Sequence, residues 1–192
     1  MTRHYNPSHR RQAIQWAQNL MARGFYVLDT ETTGLGERDE IIQIGIVDAG
    51  GNAVLDQLIR PSMPIPPGAA RVHGITDDDV INSPMFSSLY IKLSSLLAGE
   101  AVIAYNMDFD WRMLQQTVAR YRLPSIRIGK RDCAMKQYAK FKGKRSGHGR
   151  GYVWHKLTSA LAQERIAVGD AHNALGDALM TLELVRKMAI SS

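Results

Sequence analysis

The sequence predicts an α/β domain built around a mixed sheet. Two patterns point that way. Three short apolar runs follow one another early in the chain, at residues 25–28, 41–47 and 54–59, with Gly50-Gly51-Asn52 as a hairpin turn between the second and third. Later, strand-like runs at 101–104 and 126–132 alternate with stretches of helical periodicity, which adds parallel strands to the sheet. No internal repeat and no linker interrupts the 192 residues. The expected organisation is therefore a helical extension over residues 1–24, packed on one domain over residues 25–192.

Each element has a local cause. Ser8 can cap a helix over residues 9–22, in which Ala13, Ile14, Ala17, Leu20 and Met21 recur at helical spacing and Gly24 supplies the stop. Residues 25–28 are continuously apolar and read as a buried strand. Residues 60–68 hold four prolines and read as an extended loop. Asp77 and Ser83 are candidate caps for short helical turns. Leu89, Leu93, Leu96 and Leu97 form one face of a helix over 86–97. A helix over 110–121 stops ahead of Pro124. Residues 133–140 read as helical and 141–151 as a basic loop with four glycines. The last two helices are expected over 155–163 and 171–189, the final one capped by Asp170.

Apolar residues make up 45% and charged residues 22% of the chain, which suits an ordinary buried core and excludes wholesale disorder, collagen and coiled coil. No apolar run approaches the roughly 18 residues needed to cross a bilayer, so no membrane association is expected. Cys133 is the single cysteine, which excludes an internal disulfide framework and a zinc site of several thiolates. With no apolar leader at the N-terminus, the expected setting is reducing and cytoplasmic. The first 28 residues carry four Arg and no acid, as transit peptides do, but their helical spacing reads as a structured element.

Charge is distributed unevenly. The net +6 is the balance of +4 over residues 1–28, −8 over 29–119, +10 over 120–150 and zero over 151–192. An acidic half beside a strongly basic segment suggests a site for cations next to a surface for a polyanion, a solvated basic face being the alternative. In the basic segment Lys142, Lys144, Arg145 and Arg150 interleave with Tyr138, Phe141, Tyr152 and Trp154. Phosphate attraction combined with base stacking is a use for that mixture, and these four cations are expected nucleic-acid contacts.

Three acidic clusters punctuate the scaffold. Asp29-Thr30-Glu31 follows the first strand. In extended backbone, residues two apart share a face, so Asp29 and Glu31 project side by side. Either a cation neutralises them, Mg²⁺ or Mn²⁺ being suited to hard oxygen donors, or they mark a solvated strand end. The second cluster, Tyr105 to Asp110, opens a helix. Capping and dipole effects account for Asp108 and can account for Asp110. The third runs from Asp170 to Ala178, where small residues let the last helix lie close to a neighbour and Asp177 falls near an apolar face. A lone carboxylate there is costly unless paired or bound to a cation. His172 stands five residues before it. Paired carboxylates that hold two divalent ions, with a histidine to take a proton from water, are chemistry suited to phosphoryl displacement. The chain has no phosphate-binding P-loop, dinucleotide fingerprint, nucleophile elbow or zinc-binding His-Glu-x-x-His.

The order and spacing of the clusters resemble the DnaQ-like 3′-to-5′ exonucleases of the DEDDh type, which include the proofreading ε subunits of bacterial replicases. The first motif is Asp29-Thr30-Glu31-Thr32-Thr33-Gly34, the second Asn106 through Asp110, the third His172 through Ala178, and Val72-His73-Gly74-Ile75-Thr76 matches a loop beside the scissile nucleotide. The resemblance runs over residues 25–189. It implies a ribonuclease H-like fold, a five-stranded mixed sheet flanked by helices, and two divalent cations, Mg²⁺ or Mn²⁺. It implies that Asp29, Glu31 and Asp177 hold the first ion, that Asp29 bridges to the second with Asp110, and that His172 is the general base. Thr32, Leu35, His73, Asn106 and Phe109 would contact the terminal nucleotide. The implied reaction releases nucleoside 5′-monophosphates from single-stranded or frayed 3′ ends. DNA is favoured, and a polymerase or repair protein is the kind of partner expected. RNA trimming and a non-catalytic nucleic-acid- or polymerase-binding subunit are the alternatives. The chain departs from the family pattern at Tyr105, where His is frequent, at Met107, where a small residue is frequent, and at Gln43, where Glu is frequent.

The remaining singled-out residues carry quieter expectations. Asp108 is expected to be a helix-start acid rather than a ligand. Cys133 is expected to be a packed thiol, and Trp16 and Trp111 packing residues. His148 has no metal-ligand companion and is given no role.

Overall fold

The Ile- and Val-rich run Ile41–Val47 is buried at every position and forms most of the second strand, β2 (Ile41–Asp48), in the interior of the protein. The computed structural model describes residues 7–146, 151–169 and 173–191. Beside β2 lie β1 (Tyr26–Thr32) and β3 (Ala53–Leu58), both antiparallel to it. On the far side of β1, β4 (Ala101–Ala104) and β5 (Lys130–Cys133) run parallel to β1. The order β3-β2-β1-β4-β5 is the five-stranded mixed sheet that the resemblance implies.

Helices cover both faces. On one face α1 (Pro7–Arg23), α6 (Ala134–Lys142), α7 (Leu157–Glu164) and α8 (Ala174–Ala189) enclose a core with Val27, Val47 and Ile103. On the other, α4 (Phe86–Leu97) and α5 (Met107–Arg120) pack over Leu28, Ile44, Ile46 and Val102. Two short helices, α2 (Pro67–His73) and α3 (Asp77–Val80), close over Ile42 near Ile65 and Val80. α1 buries Ala13, Ile14, Ala17 and Leu20 against this core. Among the described residues no helix is long and apolar enough to cross a membrane.

Several boundaries differ from the sequence reading, each for a physical reason. β1 does not stop at Leu28: pairing with β2 carries it through the acids to Thr32. α5 starts at Met107 rather than Asp110, because the backbone N–H groups of Phe109 and Asp110 already donate to the Asn106 carbonyl. α8 starts at Ala174, where the Asn173 side chain accepts from Leu175 N and Gly176 N at 3.1 and 3.3 Å. Asp170, the expected cap, lies outside the described residues. The proline-rich loop ends at Pro66, since Pro67 is already the first residue of α2, a position where its missing N–H costs nothing. Thr76, not Asp77, precedes α3, with its N–H and hydroxyl both donating to Asp79. β5 covers only 130–133, and Ile126 is instead buried as a loop residue. α6 runs on to Lys142 because Phe141 packs into the core.

Candidate active site

The acidic residues converge at the end of β1. The β4 ladder covers Tyr26 and Val27, whereas the β2 ladder continues to Thr32. Asp29 and Glu31 alternate with buried Thr30 and so share the face of Val27, the face on which α8 lies. Asp177 sits in the first turn of α8. One ligand oxygen from each of Asp29, Glu31 and Asp177 lies within 4.8 Å of the other two.

Two residues of β2 set that approach. Gly45 is opposite Asp29 in the ladder, and the α8 backbone rests on it: a Cβ there would fall 2.5 Å from the carbonyl carbon of Ala174. Gln43, opposite Glu31, is buried. Its Oε1 accepts from Ala174 N at 3.2 Å and its Nε2 donates to Asp56 Oδ1 at 3.0 Å. Glutamine serves here because it accepts from one neighbour and donates to the other, which a carboxylate cannot do. The spacing of the acids alone gave no sign of this support.

Asp110 reaches the cluster from the opposite face of the sheet. It is 3% exposed in the first turn of α5, and Thr30 Oγ1 donates to its Oδ1 at 2.9 Å. The electrostatics follow from burial and crowding. Burial raises Asp29 well above the ordinary carboxylate range, and Asp110, Asp177 and Glu31 raise it further. Burial, then Asp177 and Asp110, push Glu31 up to about 7. Burial also pushes Asp110 up to about 7, against the lowering effect of the Thr30 hydrogen bond. Such a set holds protons or a cation at neutral pH. Its donors are all carboxylate oxygens, which fit a hard divalent ion such as Mg²⁺ or Mn²⁺.

A cavity of about 580 Å³ opens beside the acids, and Glu31, Thr32, Leu35, His73 and Phe109 line it. Four of the five expected nucleotide contacts therefore meet in one place. The fifth, Asn106, is the N-cap of α5 and does not line this cavity. Leu35 is 77% exposed at the lip. Thr32 Oγ1 donates to the Gly34 carbonyl at 2.8 Å, which fixes the turn that presents Leu35. His73 ends α2, and its Nδ1 accepts from Ile75 N at 3.1 Å across Gly74, whose φ of +76° favours glycine. Arg112 was not singled out by the sequence reading. Its guanidinium lies over the Phe109 ring at 5.3 Å and donates to the Leu35 carbonyl at 3.3 Å, so it ties the two apolar contacts together. The available signal was its position one helical turn after Phe109.

Residues 26–185 match the family RNase_T, described as exonuclease. The chain belongs to the RNase_T exonuclease family. This exonuclease is 39% identical over 168 residues to uncharacterized exonuclease CP81 of Escherichia phage 186, covering 84% of this chain and 86% of that one. It is 30% identical over 168 residues to DNA polymerase III subunit epsilon of Treponema pallidum, covering 85% and 75%. Among solved structures, Exonuclease X in complex with 5′-overhanging duplex DNA matches with a TM-score of 0.63 at 27% identity, covering 87% of this chain and 92% of that one. The expected ribonuclease H-like fold and the assignment to the DEDDh-type 3′-to-5′ exonucleases, a metal-dependent family of phosphodiester hydrolases, are borne out.

The basic segment of the exonuclease is arranged differently from its sequence pattern. Tyr138 and Phe141 are buried in the core and are not free to stack on bases. Lys142 Nζ pairs with Glu164 at 3.0 Å, and the Arg145 guanidinium lies 4.5 Å from the centre of the Tyr152 ring. Lys144 is exposed, as is Trp154 at 62%. None of Lys142, Lys144 and Arg145 lines the acidic cavity. Arg150, His148 and His172 lie outside the described residues. Asp108 is exposed and pairs with Lys136, in keeping with a helix-start acid. Cys133 is a buried free thiol whose Sγ donates to the Tyr105 carbonyl at 3.3 Å.

Proposed function

We propose that this exonuclease removes nucleotides from single-stranded or frayed 3′ ends, DNA by preference, and releases nucleoside 5′-monophosphates. The observation that carries the reading is the convergence of Asp29, Glu31 and Asp177, with buried Asp110 beside them, where Glu31 lines a cavity with an apolar lip. In this reading Asp29, Glu31 and Asp177 would hold one divalent ion, and Asp29 with Asp110 would hold a second. When bound, Mg²⁺ or Mn²⁺ would supply charge stabilisation for the phosphoryl displacement.

The chain's own residues do the rest. Leu35 and Phe109 grip the terminal base and Thr32 and His73 border its sugar, which places the terminal phosphodiester over the acids. The oxygen of water forms a bond to that phosphorus as the bond to the 3′-oxygen breaks, and the departing 3′-oxygen takes a proton from solvent to become the new 3′-hydroxyl. His172 takes the proton from the water. Its assignment rests on the family motif and on its place directly before Asn173, the cap of α8. Lys144 and Arg145 are proposed as outer contacts to the substrate, with Lys142 and Arg150 as further members of that set. The preference for DNA is supported by similarity to an epsilon subunit and to a structure solved with DNA. The same similarity supports a polymerase or repair protein as partner, in a cytoplasmic setting. Residues 1–24 are proposed as an extension of an exonuclease domain over 25–192.

The test is a pair of 5′-labelled oligonucleotides, DNA and RNA, incubated with Mg²⁺ or Mn²⁺ beside His172→Ala and Asp177→Asn. A ladder shortening from the 3′ end, lost in both variants and faster on DNA, is the expected result. Faster loss of RNA would reverse the substrate preference. Intact oligonucleotides under every condition would overturn the reading.

A further inference from the structure

We propose that a second groove, on the other side of the α5 N-terminus, binds phosphodiester groups of the nucleic acid away from the cleaved end. This rests on the nuclease reading above. The groove has a volume of about 440 Å³ and lies between α5 and α6, with the end of β5 as its floor. α5 contributes Asp108 and Trp111, α6 contributes Lys136 and Lys140 one turn apart, and β5 contributes Arg131. It thus sits at the carboxyl ends of β4 and β5, where ligand sites of open α/β sheets gather.

The first turn of α5 is the partition between the two sites. Phe109 and Asp110 serve the acidic cavity and cluster, while Met107 and Asp108 line the groove. A strand whose end is held in the cavity therefore has to cross only that turn to enter the groove.

The lining suits a phosphate. The Arg131 guanidinium lies 4.3 Å from the centre of the Trp111 ring, which orients its planar fork while Arg131 remains exposed. Lys136 is engaged by Asp108, but their side chains are 42% and 68% exposed, and an exposed pair of this kind contributes little and can be shared. Lys140 has no acidic partner among the described residues. Asp132 on the floor pairs with Lys130, which does not line the groove, at 2.8 Å, so this acid is not paired with the groove's own cations. The competing account is that these cations only keep the edge strand β5 from pairing with another chain.

Two measurements on the full chain separate the accounts. Binding of a single-stranded DNA oligonucleotide of ~20 nucleotides in EDTA is followed against salt concentration. Hydrolysis of the p-nitrophenyl ester of thymidine 5′-monophosphate, too short to leave the cavity, reads the acidic site alone. The combined variant Arg131→Ala, Lys136→Ala, Lys140→Ala should bind the oligonucleotide at least ~10-fold more weakly. Its log–log salt slope should be shallower by about 0.7 for each phosphate that is no longer neutralised. It should still hydrolyse the ester. Asp108→Asn, which releases Lys136, should bind about 2–3-fold more tightly, the scale of an exposed ion pair that no longer competes for Lys136. Wild-type affinity and slope in the combined variant would overturn the groove and leave the nuclease reading standing. A wild-type protein that fails to hydrolyse both ester and oligonucleotide would overturn the nuclease reading, whatever the binding slope shows.

Discussion

Gly45 stands directly across the β1–β2 ladder from Asp29, and it is Gly45 that lets the carboxylate of Asp177 come near. The α8 backbone at Ala174 and Leu175 occupies the space a side chain would fill, with the Ala174 carbonyl carbon and oxygen 2.5 and 2.6 Å from a Cβ placed on Gly45. Backbone cannot rotate away as a side-chain tip can, so Gly45→Ala has to displace the start of α8. Overpacking of this kind costs about 1–3 kcal/mol, or roughly 2–4 °C of Tm for each kcal/mol in a chain this size. The larger consequence is functional. If the cluster holds a divalent ion as proposed, the native protein should show a Mn²⁺-dependent rise in Tm, and the variant should lose it because Asp177 moves off Asp29 and Glu31. A Gly45→Ala protein with an undiminished Mn²⁺ response would show that α8 is not held by this contact.

The two acids in the first turn of α5 have opposite surroundings. Asp110 is buried, accepts from Thr30 and raises the proton affinity of Asp29 and Glu31. Asp108 is exposed and faces Lys136. Asp110→Asn is expected to reduce exonuclease turnover by ~10²-fold or more, at or beyond the range seen when groups that support a metal are removed. Asp108→Asn is expected to keep most turnover. Single-turnover rates on a 5′-labelled strand measure both, and equal losses would mean that the first turn of α5 contributes only charge.

The protonation of the cluster makes stability depend on pH and metal together. Glu31 titrates at about 7 in the folded protein against an ordinary 4.5, and Asp110 at about 7 against 3.8. The folded state therefore holds protons that the unfolded chain has already released, and stability falls as pH rises through this window. Without divalent ions, Tm should decline from pH 5 to pH 7 as these groups ionise, and level off above it as far as they are concerned. A bound cation removes the repulsion, so the Tm increase from Mn²⁺ should grow over the same interval. Scanning fluorimetry in EDTA and in Mn²⁺ at several pH values tests this. A Mn²⁺ effect that shrinks as pH rises would contradict it.

Much of the fold was legible in the sequence because each strand and helix carries its own signal. The helix over 86–97 and the strand over 101–104 appear as the apolar periodicity predicts. Misplaced boundaries lie where tertiary contacts override local preference. Asp29 and Glu31 are poor strand residues, yet the ladder to Gly45 and Gln43 holds them extended. The candidate ligands were legible because the three acidic clusters fall in the order and spacing of a known family's motifs; no one pair of acids would have sufficed. Their supports, Gly45, Gln43 and Arg112, were not, because each acts through a partner far away in sequence: Ala174 for the first two and Leu35 for the third. The aromatic pattern of the basic segment misled for a related reason. Helical spacing brings Tyr138 and Phe141 to the inner face of α6, and nothing local distinguishes a buried aromatic from one offered to a base.

Arg112 supplies a prediction that separates grip from chemistry. It holds Phe109 by its face and Leu35 by its backbone carbonyl. Phe109→Ala removes a stacking surface outright, and base–aromatic stacking contributes about 1–3 kcal/mol per base. Arg112→Ala leaves both apolar side chains in place but unties them, so its effect should be smaller and of the same kind. Each variant should raise KM for a single-stranded substrate more than it lowers kcat, since the acids and their ladder are untouched, and the combined variant should be little worse than Phe109→Ala alone. Non-additivity is the signature of residues acting as one unit. If instead Arg112→Ala lowers kcat as far as Asp110→Asn does, the arginine belongs with the reacting phosphate rather than with the base.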